Sequence, residues 1–271
     1  MQNRIAMIGG GNMAGALVAG LVAANYPGDF IDVMDRNPPK CERLHKDYGV
    51  NTHLAAGDWL KKADIVVLAV KPQGMRQTIE SIRPFLNPNA FYISIAAGLR
   101  IKDIARWLGS DNLVRAMPNT PALVKAGVVG LYVPAALETK KELAQSVLSA
   151  MGEVINVKSE EELDLLSTVS GSGPAYVFRF IEALEEAAVK RGFDSEGARR
   201  MAILTVLGAA KLAVSSTDSP AQLRINVTSK GGTTAEALRV MQEKGFMEMM
   251  DEAVQAAYDR SQQLADELGQ L

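Results

Sequence analysis

Two short stretches of the chain carry residue types and spacings suited to holding anions. The first is IGGGNMAG (8–15), in which Gly9, Gly11 and Ala14 stand at G-x-G-x-x-A spacing. A glycine at the first position permits a tight turn, and one at the second lets the backbone approach a pyrophosphate. A small residue at the third lets the following helix pack closely on its strand. The helix start then offers free N–H groups and a positive dipole to phosphate. The second stretch is VTSKGGTTAEAL (227–238), where Ser229 and paired glycines precede Thr233 and Thr234. A hydroxyl plus successive N–H groups at a helix start suits a small carboxylate. Thr233 and Glu236 also have the spacing of a capping box, the simpler use of the same residues.

The elements around the first loop support a nucleotide site. RIAMI (4–8) reads as a strand and Asn12 to Ala24 as a small-residue helix. A second strand, FIDVMD (30–35), ends in Asp35 and Arg36, followed by a polar helix over 39–48. A carboxylate there binds the ribose 2′-hydroxyl of NAD, whereas an arginine pairs with the 2′-phosphate of NADP, so this pair is a mixed signal. ADIVVLAV (63–70) is the continuous β-branched run of a strand buried on both faces. It leads into Lys71 and Pro72 where ligands of open sheets sit, and ISIAAGL (93–99) ends a further strand in small residues with room for a flat ring. Strands alternating with helices predict a doubly wound parallel sheet, with NLVRAM (112–117) continuing it and 128–134, 137–150 and 153–157 extending its edge. After residue 158 the pattern turns helical, over 175–192, 195–216 and 246–268. The expected domains are therefore 1–158, an α/β nucleotide-binding domain, and 159–271, all-helical. The segment 201–214 is apolar on nearly every side, which predicts burial in a core or against another subunit.

Composition narrows the function. Net charge is −2 with signs interspersed, which offers no surface to nucleic acid. One cysteine, Cys41, excludes a disulfide framework, and two histidines outside any ligand spacing give no reason to expect a metal. No apolar run reaches the length of a membrane span, and a cytoplasmic protein is expected.

Taken together, IGGGNMAGAL, LAVKPQ, SIAAGL, RAMPNTPALVKAG, SGSGPAYVF and VTSKGGTTAEAL resemble, in order, the pyrroline-5-carboxylate reductase family of proline biosynthesis. The last segment is the specific one. The resemblance implies a Rossmann domain followed by a helical dimerisation domain, with a homodimer and, as a larger ring, a decamer of five dimers. It implies NADP(H) as the preferred cofactor with NAD(H) possible, and 1-pyrroline-5-carboxylate reduced to L-proline. Carried over, Gly9, Gly10, Gly11, Asn12, Met13, Asp35, Arg36, Ala69, Val70, Lys71, Pro72, Ala96, Ala97, Gly98 and Asn226 would line the cofactor. Ser229, Gly232, Thr233, Thr234 and Glu160 would bind substrate, with the Thr234 hydroxyl near the ring nitrogen. Lys230 stands where the family commonly has proline, and Asp35 where it has a smaller polar residue. Arg115 to Pro121, with two prolines, reads as a stiff architectural connection.

Two other readings fit the same layout. A hydroxyacid dehydrogenase also joins a Rossmann domain to helices, but relies on a helix lysine that SGSGPAYVFRF lacks. A non-catalytic NAD(P)-sensing protein would bind cofactor without turnover.

Overall fold

The β-branched runs become the strands of one sheet. β1 (Ile5–Ile8), β2 (Ile31–Met34), β4 (Ile65–Leu68) and β5 (Phe91–Ser94) are buried at every position, with β3 (Asn51–His53) at one edge. β6 (Leu113–Pro118), β7 (Gly127–Tyr132) and β8 (Gly152–Val157) complete eight strands in the order β3-β2-β1-β4-β5-β6-β7-β8. A computed structural model of the chain describes residues 2–269.

Burial on both faces follows from the period of two along each strand. Ile5 and Met7 point to one face, where Leu17, Val18 and Leu21 of α1 (Asn12–Ala23), Leu44 of α2 (Pro38–Tyr48) and Leu148 of α5 (Lys141–Leu148) cover them. Ala6 and Ile8 point to the other, covered by Ile79 of α3 (Met75–Ile82) and Ile104 of α4 (Ile101–Leu108). Each large aliphatic side chain buried this way contributes about 1.5–3 kcal/mol. The sheet is thus held rigid from two sides, and the ends of its strands can position a ligand.

The sequence expectation needs two amendments. The sheet is mixed: β6 and β7 are antiparallel, and β7 and β8 are parallel to each other. The extension along that edge is otherwise as expected, with α5 shortened to Lys141–Leu148 by a preceding 3₁₀ turn. β3 was not expected, because three half-buried polar residues show no apolar alternation. Its register against β2, with Asp32 opposite Asn51, makes it a strand.

Two units separate by compactness, one running to Ser172 and resuming at Ala257, the other Gly173–Ala256. This division differs from a boundary at 158. α6 (Glu160–Leu166) packs on β6, β7 and β8 and so belongs with the sheet, as does the π-turn Ser167–Gly171. The end of α11 (Phe246–Gly269) belongs there too, because Leu268 packs in the core cluster beside Leu99 and Ile104.

The second unit holds α7 (Gly173–Val189), α8 (Ser195–Ser215), α9 (Pro220–Asn226), α10 (Thr233–Glu243) and the start of α11. α7 packs against α8, yet α7, α9 and α10 bury no residue fully. Phe178, Leu204, Leu207 and Leu212 are exposed, as is Val214 at 90%. So much uncovered apolar surface marks an interaction face. No single described helix is long and apolar enough to cross a membrane.

Candidate active site

The strands place the glycine-rich turn. Registers align the C-terminal ends of β1, β2, β4 and β5, with Ile8 beside Met34 and Leu68, and Leu68 beside Ser94. The strand order reverses between β1 and β4, and ligands of open sheets bind at such a switch. Gly9 has φ +108°, and a Cβ there would lie 2.7 Å from the Ala69 carbonyl oxygen, so no larger residue fits. Its N–H donates to the Met34 carbonyl at 2.8 Å. Gly11 is the N-cap of α1 and supplies no side-chain cap. The N–H groups of Asn12, Met13 and Ala14 therefore lack intrahelical acceptors, and a Cβ on Gly11 would meet nothing within 4 Å. This is an open, donor-rich turn of the kind that receives a pyrophosphate, and the residues fit a dinucleotide.

At the end of β2 the carboxylate of Asp35 turns onto the protein's own backbone. Oδ2 accepts from Gly10 N–H at 2.8 Å and Oδ1 from Asn37 N–H at 2.9 Å, while Lys40 Nζ stands 3.4 Å from Oδ2. Burial pushes the Asp35 carboxyl up, but the N–H groups of Asn37 and Gly10 and the Lys40 ammonium outweigh it and hold it below its ordinary value. Asp35 was expected as a cofactor ligand, and in the structure its oxygens strap the glycine turn to the β2–α2 turn. Arg36 is exposed beside it.

Ala69, Val70, Lys71 and Pro72 follow β4, with Ala69 N–H donating to the Ile8 carbonyl at 2.9 Å and Pro72 opening a 3₁₀ turn. Ala96, Ala97 and Gly98 follow β5, with Ala96 buried and Ala97 exposed. Gly98, at φ +71°, backs onto Leu268, where a Cβ would approach Cδ1 to 3.0 Å. These loops lie at the strand ends that carry the glycine turn.

Glu160, expected to bind substrate, begins α6 and is held by an ion-pair cluster. Its Oε1 accepts from Ile101 N–H at 2.9 Å and from Arg115 Nη1 at 3.1 Å. Arg115 is fully buried and also donates to Asp164 Oδ1 at 2.7 Å, while Arg100 bridges Glu161 and Asp164. The cluster fastens α6 to β6 and to the start of α4. Glu160 is part of this fastening rather than a free substrate ligand, since a buried guanidinium demands a carboxylate. Asn119 supports the architectural reading of its segment: its amide donates to the Ser170 carbonyl and accepts from Val128 N–H, each at 2.9 Å.

The second loop is built from a turn that closes when Gly232 N–H donates to the Ser229 carbonyl at 3.0 Å. Gly231 takes φ +70°, and a Cβ on Gly232 would collide with Ser229 Oγ. Gly232 is the N-cap of α10 and has no side chain, which overturns the capping box. Thr233 is the first helical residue, and Glu236 pairs with Arg239 at 2.6 Å instead of reaching back. The charged partner three residues on outcompetes a neutral amide. Among the described residues the hydroxyls of Ser229, Thr233 and Thr234 make no hydrogen bond, and the N–H groups of Thr233, Thr234 and Ala235 are free of intrahelical acceptors. The N-terminus of α10 thus presents three amides and two threonine hydroxyls to an anion. Asn226, at the end of α9, is tied locally, accepting from Gln222 at 2.8 Å and donating to Asp218 at 3.1 Å.

Sequence reasoning passed over Lys40 and Asp164, and it did not connect Glu160 with Arg115. Lys40 lay in an ordinary polar helix, and no local pattern announces that Arg115 will be buried opposite Asp164.

Residues 160–264 match the family model described as pyrroline-5-carboxylate reductase dimerisation, and 4–98 match one described as NADP oxidoreductase, coenzyme F420-dependent. A pyrroline-5-carboxylate reductase of Pseudomonas aeruginosa is 40% identical over 269 residues, covering 98% of each chain. The structure of a pyrroline-5-carboxylate reductase from Coxiella burnetii superposes with a TM-score of 0.92 at 40% identity, covering 98% of this chain and 99% of that one. Pyrroline carboxylate reductase of Plasmodium falciparum, with NADP bound, superposes with a TM-score of 0.83 at 30% identity, covering 98% and 99%. From near-complete coverage at such identity, the chain belongs to the pyrroline-5-carboxylate reductase family.

Proposed function

We propose that the chain reduces the C=N bond of 1-pyrroline-5-carboxylate to give L-proline, with NADPH preferred and NADH usable. The observation that carries this is the start of α10, where free amides and two unengaged threonine hydroxyls follow a glycine turn. The P. falciparum relative holds NADP, and we assign the 2′-phosphate to Arg36, exposed just past the end of β2, because an arginine at that place in such sheets pairs with it. A bound nicotinamide supplies the hydride.

The residues of this chain divide the remaining work. Amides of Thr233, Thr234 and Ala235, with the Ser229 hydroxyl, hold the substrate carboxylate at a positive helix end. The Thr234 hydroxyl accepts from the protonated ring nitrogen and fixes which face of the ring the hydride reaches. An imine already protonated requires no strong acid, and 173–256 contains no histidine. Catalysis then rests on orientation, which in well-aligned cases removes about 7–11 kcal/mol of barrier. The unit built on the sheet would serve the cofactor, and the helical unit Gly173–Ala256 the substrate and subunit contact. The chain is an oligomer, and we assign it the dimer that its matched dimerisation segment names, with five dimers forming a decamer in the cytoplasm.

The test is an assay with purified protein, following NADPH absorbance with and without the cyclic imine. Oxidation only when imine is present, with proline as product, supports the assignment. Tight NADPH binding without turnover would instead make the chain a cofactor sensor, and turnover on hydroxyacids alone would place it among the dehydrogenases.

A further inference from the structure

The turn between β2 and α2 leaves almost no backbone donor for a phosphate. Pro38 and Pro39 have no N–H, Lys40 N–H donates to Asn37 at both its carbonyl (3.1 Å) and its Oδ1 (3.3 Å), and Asn37 N–H is held by Asp35. A 2′-phosphate arriving there would also stand beside the Asp35 carboxylate, a like charge. Side chains must therefore do the binding, and two cations are at hand, Arg36 and Lys40.

We propose that Lys40 is a specificity-determining residue for NADPH, its ammonium receiving the 2′-phosphate together with Arg36 while Asp35 keeps it beside the glycine turn. The proposal rests on the nucleotide site described under Proposed function. Asp35 Oδ2 is the common acceptor of Gly10 N–H and Lys40 Nζ, so the ammonium is held within one carboxylate of the phosphate-binding loop. At 3.4 Å the pair is longer than the 2.7–2.9 Å of a tight charge-assisted bond, and the Lys40 side chain remains 44% exposed. Asp35 already accepts two amides, so folding has little need of the lysine. A dianion beside an ionised Asp35 does need it, both to cancel the carboxylate and to bind the phosphate. The low carboxyl pKa of Asp35 keeps that repulsion present at neutral pH.

The experiment measures binding of adenosine 2′,5′-bisphosphate and of adenosine 5′-monophosphate to the full chain, beside KM for NADPH and NADH. Lys40→Gln is expected to weaken the bisphosphate about tenfold and raise KM for NADPH similarly, with the monophosphate and NADH changed less than about twofold. Lys40→Arg is expected to restore most of the bisphosphate affinity. Equal weakening of both nucleotides would mean that Lys40 merely braces the glycine turn, and would overturn the proposal, as would an unchanged bisphosphate affinity. Because the nucleotides are titrated without imine, the outcome is read even if the assigned reduction fails.

Discussion

Replacing Thr234 by valine removes one hydroxyl and keeps the β-branched shape. The structure limits what else can change. Thr234 is the second residue of α10, the N-cap is Gly232, and the hydroxyl makes no hydrogen bond among the described residues. No cap is lost, so the helix should keep its stability within about 0.5 kcal/mol, the usual range for a surface substitution away from special features. The functional loss should be one hydrogen bond to a charged nitrogen, about 1.5–3 kcal/mol, or roughly 10–150-fold in kcat/KM for the imine. The assay is steady-state NADPH oxidation at varied imine, with a thermal melt and an NADPH titration on the same sample. Because the N-cap is a glycine, Thr233→Ala should also leave the melt nearly unchanged, short of the roughly 1 kcal/mol of a lost cap. Normal kcat/KM in Thr234→Val would refute the role given to its hydroxyl. A large fall in melting temperature would refute the claim that the hydroxyl is structurally idle.

Three further outcomes are expected. Arg115→Met leaves the buried Asp164 and the partly exposed Glu160 facing a neutral side chain, and although Arg100, Gln262 and Ile101 N–H still touch them, denaturant unfolding should show a loss toward the lower end of about 3–5 kcal/mol. Asp35 has its folded pKa depressed, so its stabilisation is present above the unfolded value near 3.9 and is lost as pH falls through the folded pKa; Asp35→Asn should be less stable than the parent at pH 7, with the gap closing in melts below about pH 4. The exposed apolar faces of α7 and α8 require a covering partner, so light scattering at micromolar concentration should find no stable, active monomer.

Several elements were legible because their signals are local. The buried β-branched run of β4 and the glycine spacing between β1 and α1 each depend on residues close in sequence. Helices 195–215 and 246–269 start and stop within one or two residues of the expected limits. β3 was illegible because an edge strand of three polar residues is defined only by its partner. The antiparallel turn of β7 was likewise undetermined, since apolar pattern is the same in either direction.

The candidate site divides along the same line. That the chain has a nucleotide turn and an anion-holding helix start is written in short motifs, because backbone conformation there is dictated by glycine and by helix geometry. What Asp35, Glu160 and Thr233 do depends on which donors surround them in space. Asp35 sits at a position that binds ribose in many sheets, yet two amides and a lysine claim its carboxylate. Glu160 is claimed by Arg115, 45 residues away, and Thr233 is released from capping because the Ser229–Gly232 turn makes Gly232 the N-cap. Sequence alone determined the parallel core of the sheet, the helical character of the C-terminal region and the family, because these follow from periodicity and contiguous motifs. The tertiary structure decided which polar side chains remain free for ligands, because a hydrogen bond goes to whichever partner the fold brings within reach.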